Sequence, residues 1–105
     1  MKFTETKIKD LIILEPKIFG DERGYFIESF NQKKFEEVAG EVLFCQDNES
    51  KSSKGVLRGL HFQTYPYSQT KLLSVSKGEI LDLIVDLRKN SDTYGGGIKI
   101  ILNDS

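Results

Sequence analysis

Apolar residues recur along this chain mainly with period two. Leu81, Leu83, Val85 and Leu87 fall on one side of their run, and Ile80, Asp82, Ile84, Asp86 and Arg88 on the other. That is the alternation of a half-buried strand, whose side chains point to opposite faces in turn. Runs at residues 25–30, 42–46, 56–63, 71–76 and 98–102 predict further strands, because they are rich in β-branched and aromatic residues and are separated by Gly, Asn, Asp and Ser clusters. Many short strands at this spacing predict an all-β sandwich or barrel, in a single domain over residues 1–105. One segment departs from the pattern. Asn31 is a good N-cap, Phe35, Val38 and Ala39 share a helical face, and Gly40 is placed to end the turn, so a short helix is expected there.

Composition narrows the function classes. Fifteen basic residues against sixteen acidic ones leave a net charge of −1, so no overall basic field attracts nucleic acid or a membrane surface. Any anion must be held by local groups. The single Cys45 has no partner within the chain, the first ten residues are charged and unlike a secretory signal, and no apolar run approaches the length that spans a bilayer. These features predict a soluble cytoplasmic protein.

The richest chemistry lies in the run Gly55-Val56-Leu57-Arg58-Gly59-Leu60-His61-Phe62-Gln63, which holds the only histidine and an arginine three residues before it. An imidazole titrates near neutrality, and a guanidinium is a fixed cation with a planar fork of donors. Together they suit proton transfer on an anionic substrate, although a buried histidine satisfied by a carboxylate would look the same in sequence. In a regular strand Arg58 and His61 point to opposite faces. Serving one site therefore requires a bend near Gly59. Lys71 follows a loop whose Tyr65, Pro66 and Tyr67 are candidates to wall a pocket; a solvated lysine is the plainer alternative. Asp82 and Asp86 share one face of their strand, and a carboxylate there, Asp82 first, is a candidate to orient His61, with solvent exposure as the alternative. With one histidine, two-histidine metal ligation within the chain is impossible, and no metal is expected.

Several separated blocks, namely the run 55–63, Phe19-Gly20-Asp21-Glu22-Arg23-Gly24, Gln46-Asp47-Asn48, Lys71-Leu72 and Gly78-Glu79, resemble motifs of the nucleotide-sugar 3,5-epimerases that act on dTDP-4-keto-6-deoxyglucose. The resemblance covers nearly the whole chain. It implies a cupin-type jelly roll, here its N-terminal part, with a dTDP-4-keto-6-deoxy sugar as substrate and no cofactor, since the 4-keto group already acidifies the neighbouring carbons. His61 is implied as the catalytic base, Lys71 as a cation near the enolate, and Arg58 as a diphosphate contact. Phe19, Arg23, Glu28, Gln46, Asp47, Asn48 and Gln63 are implied as substrate contacts, and a homodimer with exchanged N-terminal segments as the assembly. The family's acid tyrosine lies beyond residue 105, and none of the four tyrosines here matches it. Two alternatives therefore stay open: a non-catalytic nucleotide-sugar binding or dimerisation module, and an epimerase of a GDP-linked sugar.

Overall fold

A computed structural model describes all residues, Met1–Ser105. The chain divides into two compact units, one formed by Met1–Glu41 with Ser74–Ser105 and the other by Val42–Leu73.

The first unit holds every regular element, as three antiparallel ribbons of two strands and one helix. β1 (Lys2–Glu5) pairs with β2 (Ile12–Glu15), with Phe3 opposite Leu14 and Lys2 opposite Glu15. The turn between them is organised by Thr6, whose hydroxyl donates to the carbonyls of Ile8 and Leu11 and accepts from the Ile8 amide. Asp10 takes a left-handed φ of 72°, a conformation that short polar side chains tolerate. Sequence patterning did not predict this ribbon, since β1 carries one large apolar residue in four and β2 is a continuous apolar run without alternation.

β3 (Ile18–Asp21) and β4 (Gly24–Ile27) form a hairpin, with Phe19 opposite Phe26 and Gly20 opposite Tyr25. Only Glu22 and Arg23 lie in its turn. Helix α1 (Gln32–Ala39) follows as expected: the Asn31 side chain accepts from the Lys34 amide at 3.1 Å, and the Gly40 amide closes the C-terminus on the Glu36 carbonyl. The expected inner face is narrower than predicted. Phe35 is buried against Phe30, with ring centroids 5.7 Å apart, whereas Val38 and Ala39 are exposed. An eight-residue helix turns only about twice, so a single side chain can point at the core while its i+3 and i+4 neighbours lie at the margin.

β5 (Glu79–Val85) and β6 (Gly97–Asn103) make the longest ribbon, in register from Glu79 opposite Asn103 to Val85 opposite Gly97. Its more shielded face carries Asp82 and Ile84 opposite Ile100 and Ile98, while Leu81, Leu83 and Ile101 are exposed.

In the second unit the expected strands at 42–46 and 56–63 do not form, nor does the one at 71–76, which runs from this unit into the first. The stretches have strand-like composition, but strand pairing is set by a neighbour that accepts and donates the ladder bonds, and alternation alone does not supply one. Local turns organise the unit instead. The Val56 amide donates to the Ser53 carbonyl, and the Tyr67 amide to the Thr64 carbonyl at 2.7 Å.

Candidate functional site

The predicted site residues fall into two sets. The second unit holds Gln46, Asp47, Asn48, Arg58, His61, Gln63 and Lys71, all exposed. Between Arg58 and His61 the backbone leaves the extended conformation at Gly59, where φ is 110°. A Cβ at this position would meet His61 Nδ1 at 3.3 Å, so the imidazole lies back over the glycine and uses the space that a side chain would fill. Arg58 is anchored on the preceding loop: its Nε donates to Ser52 Oγ at 2.9 Å and its Nη2 to the Lys51 carbonyl at 3.2 Å. Gly59 thus takes a left-handed conformation in irregular backbone and not in a strand. Tyr65 and Tyr67 are exposed.

The first unit carries Phe19, Arg23, Glu28 and Asp82. Arg23 sits at the tip of the β3–β4 hairpin and is forked onto Asp21, with Nη2 donating to Oδ2 at 2.7 Å and Nε to both carboxylate oxygens. Asp21 also accepts from the Arg23 amide at 2.8 Å, which closes the turn. The Arg23 guanidinium and then this amide hold the Asp21 carboxyl below its ordinary range, and the carboxylate in turn raises Arg23. Phe19 lies on β3, with the Lys17 ammonium 4.9 Å from its ring centroid. Glu28 follows β4 and accepts from Asn31 Nδ2 and Lys34 Nζ, both at 3.2 Å. These two bonds, Asn31 foremost, lower its pKa and favour the ionised form. Asp82 is half-buried on β5, opposite Ile100.

The most buried charge is Asp86, which the sequence placed on one strand face with Asp82 but without its loop partners. Asp86, at the end of β5, accepts from the Arg88 amide and Nε at 3.0 Å, from Ser91 Oγ at 2.6 Å and from Thr93 Oγ1 at 2.7 Å. Arg88 reaches onward to Asp10 Oδ2 and the Lys9 carbonyl, tying the β5–β6 loop to the β1–β2 turn. The Arg88 bond, followed by the two hydroxyls, holds the Asp86 carboxyl far below the usual carboxylate range. An Asp at a strand end with Arg, Ser and Thr two, five and seven residues later is the signal that would have exposed this clasp. A cleft of about 450 Å³ opens beside it, and none of the predicted site residues lines it. No group of three or more His, Cys, Asp or Glu side chains is arranged to hold a metal, and no helix is long and apolar enough to cross a membrane.

Known proteins supply an independent comparison. The sequence profile described as dTDP-4-dehydrorhamnose 3,5-epimerase matches residues 5–105. The dTDP-4-dehydrorhamnose 3,5-epimerase of Shigella flexneri is 56% identical over 104 residues, which is 98% of this chain and 58% of that protein. Among solved structures, the epimerase of the same name from Elizabethkingia anophelis superposes with a TM-score of 0.92 at 51% identity, covering 99% of this chain and 57% of that one. The epimerase from Legionella pneumophila, solved in complex with dTDP-4-keto-L-rhamnose, gives 0.90 at 50% identity over 98% of this chain and 55% of that one. The chain thus spans a little over half the length of these relatives, and its fold is that of the cupin-type epimerases.

Proposed function

The chain belongs to the dTDP-4-dehydrorhamnose 3,5-epimerase family, and from that premise we propose that it contributes the base and the nucleotide contacts of an epimerase inverting C3 and C5 of dTDP-4-keto-6-deoxyglucose. His61 is the base. Its neutral imidazole removes the proton from a carbon next to the ketone, and the electron pair moves into an enolate on the 4-keto oxygen. Lys71 supplies positive charge to that oxygen. Arg58 takes the diphosphate, for which a guanidinium anchored on the 51–52 loop needs little further ordering. Phe19, Arg23, Glu28, Gln46, Asp47, Asn48 and Gln63 contact the nucleotide-sugar. No redox cofactor takes part, because the ketone is already in place.

The observation that carries this reading is the His61–Gly59 arrangement. The glycine's left-handed φ and missing side chain give the exposed imidazole a defined seat three residues from Arg58. The test replaces His61 with Asn. Deuterium incorporation from heavy water at C3 and C5 of dTDP-4-keto-6-deoxyglucose should be abolished, while dTDP affinity stays within a few fold. Undiminished exchange would reject His61 as the base.

The assembly that fits is a homodimer in the cytoplasm with N-terminal segments exchanged. Ile18, Phe19, Tyr25 and Phe26 are exposed on both faces of the β3–β4 ribbon, Tyr25 by 72% and Phe26 by 68%. A bare two-stranded ribbon with such faces gains stability when a second copy covers it.

A further inference from the structure

Glu28 does not stand alone at the mouth of helix α1. Asn31 has two tasks: its Oδ1 accepts from the Lys34 amide, which caps the helix, and its Nδ2 donates to Glu28 Oε1. The capping bond fixes which end of the amide is oxygen, and therefore fixes where the donor points. Lys34 closes the ring from the other side, with Nζ also on Oε1 at 3.2 Å. Both bonds land on the same carboxylate oxygen. Behind them, Phe35 packs on Phe30 and anchors the helix.

We infer that Asn31 and Lys34 are positioning residues for Glu28: the helix cap and the lysine hold one carboxylate oxygen so that the other is presented, in one orientation, to the nucleotide of a bound dTDP-sugar. This inference rests on the proposed reading of Glu28 as a nucleotide contact. A surface ion pair that served the helix alone would need no particular oxygen. Here the capping geometry and the ion pair converge on Oε1, and the Glu28 side chain is 47% exposed.

The two roles of Asn31 separate by substitution. Asn31→Ser retains a capping oxygen and removes the Nδ2 donor, while Lys34→Met retains a helix-forming stem and removes the cation. Titration calorimetry with dTDP should show about two- to fivefold weaker binding for each, the size expected for one exposed charged bond. Helical circular dichroism should be unchanged, and Lys34→Arg should restore affinity. The acid limb of dTDP binding should also move to higher pH in Lys34→Met, since Glu28 loses a group that favours its ionised form. Glu28→Ala separates this inference from the reading beneath it. If Glu28→Ala weakens dTDP binding while Asn31→Ser and Lys34→Met do not, the positioning role is refuted and the contact role stands. If Glu28→Ala leaves binding unchanged, both fall.

Discussion

Truncating Phe35 to Ala tests whether one aromatic side chain anchors helix α1. Phe35 is 6% exposed, one of only two buried apolar residues, and its ring meets Phe30 at 5.7 Å with the planes tilted by 50°. Removing a buried phenyl costs roughly 3 to 5 kcal/mol. The low end applies here, because Phe30 is itself 40% exposed and can settle into part of the space. An unfolding entropy of about 2.1 cal/mol/K per residue gives this chain of 105 residues about 0.22 kcal/mol/K, so a loss of about 3 kcal/mol lowers Tm by about 14 °C. Val38 is the internal control, being 40% exposed on the margin of the same helix. In Val38→Ala the gain in helix propensity offsets the lost contact, and the change should stay within about 0.5 kcal/mol. Thermal unfolding followed by circular dichroism reads both. A Tm drop below about 4 °C for Phe35→Ala, or equal drops for the two variants, would refute the assignment of Phe35 as the anchor.

Asp86→Asn should flatten the acid limb of stability. The folded carboxyl lies below its ordinary 3.8, so its contribution is complete above about pH 5 and is lost as pH falls toward the folded value; wild type should lose Tm across that window, whereas the variant starts lower at pH 7 and falls less, and parallel curves would contradict this. Phe26→Asp places a charge on the open β3–β4 ribbon and should shift sedimentation from dimer to monomer with unchanged circular dichroism; a wild-type chain that is monomeric at micromolar concentration would count against the dimer. Gly59→Ala should cost roughly 1 to 3 kcal/mol in backbone strain and slow deuterium exchange at the sugar by about tenfold, because a methyl group would press on the imidazole at 3.3 Å and shift it; full exchange in a folded Gly59→Ala protein would show that the seat is dispensable.

Local rules were the legible part of this chain. Helix α1 could be bounded to the residue because an N-cap asparagine and a terminal glycine act through bonds to their own neighbours. β5 and β6 were legible as apolar runs bounded by turn clusters, but the more shielded face of β5 is the one carrying Asp82 and Ile84 and not the one carrying Leu81 and Leu83. The failures share a different cause. Residues 42–46 and 56–63 carry strand composition, yet ladder bonds depend on a partner whose position no local pattern encodes. The β1–β2 ribbon was hidden because β1 is four residues long and β2 does not alternate, and its turn is held by the Thr6 hydroxyl and the buried Ile8. In the candidate site the family motifs named Arg58 and His61, while the arrangement around them, with Arg58 on Ser52 and His61 over Gly59, comes from irregular backbone outside the period-two rule. Asp86 was read as one position in an alternating strand, because its partners lie in a loop that alternation does not describe.

The left-handed glycine beside His61 also limits the paths that descent can take. Every single-base change in a glycine codon that alters the residue introduces a Cβ, and at position 59 a Cβ would face both a φ of 110° and the imidazole 3.3 Å away. Aspartate, one base change from glycine, and asparagine, two away, tolerate left-handed backbone near a φ of about 57°, but 110° lies well outside that region. Codon 59 is therefore isolated in mutational space. Lineages that lose the glycine have to pass through a strained intermediate, whereas neighbouring loop codons can drift one base at a time.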